Sequence, residues 1–214
     1  MDEHNNMYDR AEQIYDKIDA FVAAGDLVAA IAQYDEVIKL LPRNAMHFYN
    51  RGWLQQKLEN FDLAVLDCTE AIQRNPNDAD TFNLRGLAYA NLSQHDKALV
   101  NYAEAIRLAP NDPKAFYNRA ITLSELGNDE QAIIDYSVAI ELDPEDAHTF
   151  YNRAISHINL RGIEEAIQDF TQSIWLDPTD LDAFILRGRL LKSTGKVDEA
   201  KADFKEAKRL LQKL

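Results

Sequence analysis

Five arginines recur at a constant spacing of 34 residues: Arg51, Arg85, Arg119, Arg153 and Arg187. Four of them have an aspartate sixteen residues later, namely Asp67, Asp135, Asp169 and Asp203, while Arg85 has Asn101 at that distance. A guanidinium and a carboxylate form a charge-assisted hydrogen bond, so this pattern predicts an Arg–Asp pair within the repeating unit. The arginine stem would lie on apolar surface with its head on the aspartate. The rival reading is a ladder of arginines for an acidic ligand. Reactive chemistry is poorly served, because the chain has no glycine-rich phosphate loop, no His-Glu-x-x-His and no Cys-x-x-Cys. His47, His95, His148 and His157 fall at different phases of the 34-residue spacing, and His4 precedes it. The one cysteine, Cys68, cannot make an internal disulfide or a cysteine-based metal site, and is expected as a small buried hydrophobe. These residues predict a protein that is not an enzyme and carries no cofactor, metal or catalytic site.

The same period organises the whole chain. Five of the six prolines, Pro42, Pro76, Pro110, Pro144 and Pro178, stand on one grid of spacing 34. Cutting on that grid leaves residues 1–10 as a tail or helix extension, followed by six units at 11–44, 45–78, 79–112, 113–146, 147–180 and 181–214. Together the units form a single domain over 11–214. Ala30, Ala64, Ala98, Ala132, Ala166 and Ala200 share one column, and Ile14, Phe48, Phe82, Phe116, Phe150 and Phe184 another. Tyr34, Cys68, Tyr102, Tyr136, Phe170 and Phe204 make a third. Apolar residues recur within each unit at helical intervals, so each unit reads as helix, turn, helix. Gly25, Gly127, Gly162 and Gly195 sit where the turn is wanted. Asn44, Asp78, Asp112, Asp146 and Asp180 each precede a first helix and suit its cap, and Pro113 falls at a first helical position.

Composition narrows the partners. The chain of 214 residues has a formal net charge of −13, and a sequence pI near 4.8. A phosphate backbone or an anionic membrane needs a basic face, so neither is an expected partner. No apolar run approaches the roughly 18 residues of a membrane helix, and no basic stretch leads into an apolar one near Met1, so a cytoplasmic protein is expected. Charge is uneven along the chain: residues 11–180 sum to −15 and the last unit to +4. In that last unit Lys201 and Lys208 stand in columns that are aliphatic elsewhere, which reads as a polar cap on the stack. Trp175 replaces a polar residue in its column and is expected to be exposed, as a second contact point or a local staple.

These columns resemble the tetratricopeptide repeat, whose pattern of aromatic, small, alanine and proline positions is closely matched by residues 113–146. The departure is the arginine column, where that family usually has leucine. The resemblance implies an all-α fold, a right-handed α-solenoid superhelix of six helix-turn-helix repeats with a concave groove lined by the first helices. It places Tyr49, Asn50, Trp53, Asn83, Leu87, Tyr117, Asn118, Ile121, Tyr151, Asn152, Ile155 and Arg189 on that groove. Asn50, Asn118 and Asn152 would each offer a donor and an acceptor to the backbone of a bound peptide of any sequence. Leu84 and Leu186 interrupt that ladder. Trp53, Leu87, Ile121 and Ile155 would form an apolar stripe beside it. Of the five positions of the chaperone-tail carboxylate clamp the best windows match one, so an acidic C-terminal tail is not the expected ligand. The implied function is a protein-interaction adaptor with a protein or peptide partner in the groove. The alternatives are a homo-oligomeric structural assembly and an engineered array without a dedicated ligand.

Overall fold

The computed structural model describes residues 2–212, and the side chains from Met7 onward. Twelve helices run through the described residues. They are α1 Asp2–Ala23, α2 Leu27–Leu40, α3 Ala45–Lys57, α4 Phe61–Arg74, α5 Ala79–Asn91, α6 His95–Leu108, α7 Pro113–Glu125, α8 Asp129–Leu142, α9 Ala147–Asn159, α10 Ile163–Leu176, α11 Leu181–Ser193 and α12 Val197–Leu211. Each consecutive pair packs as a helical hairpin that coincides with one 34-residue unit. Residues 2–10 continue α1, which is the helix-extension form of the expected N-terminal segment. The chain divides into two compact units, Met1–Pro110 and Asn111–Leu214, each holding three hairpins.

Local rules explain where the helices begin and end. Oδ1 of Asn44, Asp112, Asp146 and Asp180 accepts from the backbone N–H two residues on, satisfying one orphan amide of α3, α7, α9 and α11. Asp78 departs from that pattern and takes the Thr81 hydroxyl instead. The tight turn inside every hairpin is made by one left-handed residue, with φ between 57° and 82°: Gly25, Glu59, Ser93, Gly127, Arg161 and Gly195. This corrects the reading of Gly162. It is the N-cap of α10 with φ −79°, and Arg161 before it takes the left-handed conformation. The turn needs its positive φ one residue past the C-cap of the first helix, which Leu160 occupies here.

Inside the hairpins the small and large columns interlock. The alanine column is buried throughout, and Tyr102, Tyr136 and Phe170 are fully or nearly fully buried beside it. Gly86 lets α5 approach that ring layer, since a β-carbon there would lie 2.6 Å from Cε1 of Tyr102. Cys68 takes the same ring position in α4 and is buried. Burial pushes its thiol up to about 12. Lys201 and Lys208 are exposed on α12.

The arginines do pair within their hairpins. Arg51, Arg119, Arg153 and Arg187 each grip both oxygens of their aspartate, at 2.6–3.0 Å in the closest contacts, and Arg85 donates to Oδ1 of Asn101 at 2.8 Å. Each guanidinium also lies 5.5–5.8 Å from the ring centre of the phenylalanine three residues before it. A second set of contacts was not foreseen in the sequence. Four of the five arginines also reach sixteen residues backwards into the previous hairpin: Arg51 to Asp35, Arg85 to Thr69, Arg153 to Ser137 and Arg187 to Thr171. The hydroxyls of Thr69, Ser137 and Thr171 spend their one proton on the carbonyl four residues earlier, so a lone pair is left to accept the arginine. The arginine column therefore joins neighbouring hairpins as well as closing its own.

Candidate functional site

The twelve residues singled out in the sequence all lie on first helices of hairpins, and they form separate groups in the two units. In the first unit, Tyr49, Asn50 and Trp53 stand on α3, and Asn83 and Leu87 on the adjacent α5. Trp53 is 40% exposed. Trp53 and Leu87 line one open cleft of about 340 Å³, with Phe61, Leu84 and Gln56. The ammonium of Lys57 lies 5.3 Å from the Trp53 ring centre. Asn50 hydrogen-bonds Tyr34. Leu84 is buried, so it belongs to the core of this unit rather than forming a mere gap in a polar ladder.

In the second unit, Tyr117, Asn118 and Ile121 stand on α7, Tyr151, Asn152 and Ile155 on α9, and Arg189 on α11. Asn152 donates through Nδ2 to the Tyr117 hydroxyl at 3.0 Å, which ties α9 to α7. Tyr151 and Ile155 are half-buried and pack on the core cluster around Phe170 and Phe184. Tyr151 meets the Phe170 ring edge-on at 5.4 Å. These side chains thus bind their own neighbours and present only part of their surface outward. Arg189 is exposed.

The electrostatics of both faces are acidic. Burial raises the phenols of Tyr49, Tyr117 and Tyr151, and nearby aspartates add to it: Asp80 and Asp78 at Tyr49, Asp146 at Tyr117, Asp180 and Asp182 at Tyr151. The phenols are therefore neutral hydroxyls at physiological pH.

One polar network was missed in the sequence. Ser124 on α7 donates to Oδ1 of Asp129 at 2.8 Å, and Asn159 on α9 donates to the same oxygen at 3.2 Å. The Ser156 and Ser124 hydroxyls are 3.2 Å apart. Its signal was present: Asp129 stands in a column that otherwise reads Leu27, Phe61, His95, Ile163 and Val197. Among the described residues no group of three His, Cys, Asp or Glu side chains is arranged to hold a metal ion. No helix there is long and apolar enough to cross a membrane. Trp175 is 76% exposed, as expected.

Profiles described as tetratricopeptide repeat match residues 45–78, 79–112, 101–134 and 181–210. The sequence matches no curated protein sequence. Among solved structures, a tetratricopeptide repeat protein from Parabacteroides merdae ATCC 43184 superposes with a TM-score of 0.74 at 24% identity, covering 92% of this chain and 78% of that one. MamA from Desulfovibrio magneticus RS-1 gives 0.72 at 19% identity, covering 79% of this chain and 96% of that one. YrrB, described as a TPR protein with an unusual peptide-binding site, gives 0.67 at 19% identity over 83% and 91% of the two chains. Likenesses at these identities bear on the fold. With its repeats matched by sequence and its helical hairpins matched in space, the chain belongs to the tetratricopeptide repeat family.

Proposed function

We propose that the chain is a non-enzymatic interaction module that holds an extended peptide, or one helix of a partner, against the first helices of its hairpins. Tetratricopeptide repeat proteins bind other proteins or peptides, and this reading gives that general role a location. In the first unit the contact surface is Tyr49, Asn50, Trp53, Asn83 and Leu87; in the second it is Tyr117, Asn118, Ile121, Tyr151, Asn152, Ile155 and Arg189. The observation that carries the reading is Trp53, a large indole left 40% exposed at an open cleft where Phe61, Leu84 and Leu87 meet the polar Gln56, Lys57, Glu59 and Asn91. An exposed aromatic beside apolar walls is the usual anchor of a protein interface, where a buried ring contributes much of the affinity. Asn50 and Asn152 supply backbone-directed hydrogen bonds through the carbonyl or amide valences that Tyr34 and Tyr117 leave over.

A phage-displayed library of twelve-residue peptides selected on the intact chain tests this. Selected peptides should bind Trp53→Ala at least about tenfold more weakly, since a truncated aromatic hot spot costs about 2 kcal/mol or more, and should bind Trp175→Ala normally. Equal binding to wild type and Trp53→Ala, with matched melting temperatures, would move the contact surface away from α3 and α5.

A further inference from the structure

Five aspartates are buried among the described residues: Asp67, Asp129, Asp135, Asp169 and Asp203. Four of them carry an arginine on both oxygens. Asp129 differs. It is 5% exposed, yet among the described residues its only hydrogen-bond donors are neutral, the Ser124 hydroxyl and the Asn159 amide, and both go to Oδ1. Oδ2 takes no hydrogen bond, and no cationic side chain among the described residues pairs with this carboxylate.

A buried carboxylate without a cation is costly, and proteins normally pair it or replace it. Here the expensive residue sits where four of the other five repeats carry an apolar side chain, Leu27, Phe61, Ile163 and Val197, and the fifth carries His95. Asp129 is the first residue of α8, and the positive end of that helix offsets part of the cost without occupying Oδ2. The surroundings deepen the negative potential. Residues 113–146 hold two basic and eight acidic residues, a net charge of −6. Asp129 and Glu125 both act to raise the neighbouring Tyr136 phenol, after burial and the Tyr117 ring.

We infer that the second unit takes a cationic side chain, the arginine or lysine of a bound peptide, at the Asp129 carboxylate. This rests on the peptide-binding reading above and gives it a sign: the preferred partner segment is basic. Oδ2 is the acceptor left for a guanidinium or ammonium N–H, giving the charge-assisted bond that the four other buried aspartates already have. Ser124 and Asn159 orient the carboxylate by holding Oδ1 from α7 and α9, and the Ser156 hydroxyl donates to the Ser124 oxygen behind them.

The test is a titration of the isotope-labelled chain with N-acetylarginine methylamide, and with the neutral isostere N-acetylcitrulline methylamide, followed by NMR. The arginine probe should produce a saturable shift of the Asn159 side-chain amide and the Asp129 backbone amide, at least fivefold tighter than the citrulline probe. Asp129→Asn should abolish that difference, and should melt at the same temperature as wild type or higher, since it removes an uncompensated charge. Equal responses to the two probes, no saturable response, or a lower melting temperature in Asp129→Asn would each overturn the assignment. The two-probe comparison on wild type stands even where the variant fails to fold. Failure here is separable from failure of the peptide reading, which is decided by Trp53→Ala on the first unit.

Discussion

Arg153 holds Asp169 with two parallel bonds, Nε to Oδ2 at 2.8 Å and Nη2 to Oδ1 at 2.7 Å, while its remaining amino group reaches Oγ of Ser137 at 2.9 Å. One side chain on α9 thus fastens α10 within its hairpin and α8 in the hairpin before. The Asp169 side chain is 7% exposed and the Arg153 side chain 20%, so the pair is largely shielded from solvent. Removing the charge of one partner strands the other. Asp169→Asn is expected to cost about 3 kcal/mol, and Ser137→Ala, which deletes one charge-assisted bond, about 1.5 kcal/mol. Urea unfolding measures both. Neither cost should change much between about 0.05 and 0.5 M salt, because a buried pair is weakly screened. A loss that vanished in high salt would show the pair to be a surface one.

The left-handed turn residues give a matched pair of substitutions. Arg161 has φ 63° and is exposed, while Gly127 has φ 77° and a β-carbon there would meet nothing within 4 Å. Arg161→Gly should therefore raise stability and Gly127→Ala lower it, each by about 1 kcal/mol, because only backbone strain changes. Thermal melting of the two variants beside wild type decides it; movement in the same direction would be incompatible with a turn set by φ.

His47 makes the stability of the first unit pH-dependent. It is buried, and its Nε2 receives Asn44 Nδ2 at 3.2 Å and lies 2.7 Å from the Tyr15 hydroxyl. Asn44 cannot turn its amide without losing the cap bond from the Met46 N–H to Oδ1, so Nε2 is an acceptor and the ring is neutral. Burial lowers the His47 pKa from its ordinary 6.5. The unfolded chain therefore binds the proton more readily than the folded one. This contribution is intact above pH 6.5 and is lost as the pH falls from there through the lowered folded value. The melting temperature should drop on going from about pH 7.5 to pH 5, and His47→Gln should flatten that drop. An identical pH profile in the variant would remove His47 from the account.

Cys68 should be inert in the folded chain. Its thiol is fully buried and raised to about 12, so only about one molecule in ten thousand is thiolate at pH 8. Reaction with a disulfide reagent is expected to follow unfolding, with rates that climb through the urea transition. Complete modification within minutes, with native circular dichroism retained, would contradict that burial.

Sequence alone determined much of this molecule, because the period of 34 residues repeats one local solution six times. Helix pairs, asparagine and aspartate caps, the alanine column and the Arg–Asp pairs all follow from residues within one hairpin, where spacing is geometry. Even there a one-residue error is possible, as Gly162 shows: composition marks a turn, but only the backbone decides which residue takes the positive φ.

What the tertiary structure decided lies between hairpins. Whether Asn152 is free or spent on Tyr117, whether Ile155 faces out or packs on its neighbours, and whether Arg153 stops at Asp169 or continues to Ser137 depend on helices stacked from different repeats. Asp129 is the sharpest case. Its place in a mostly apolar column was visible, yet that no cation among the described residues pairs with it appears only when α7, α8 and α9 are brought together. Sequence spacing determines which side chains share a helix face; the free energy of a buried charge depends on everything packed around it.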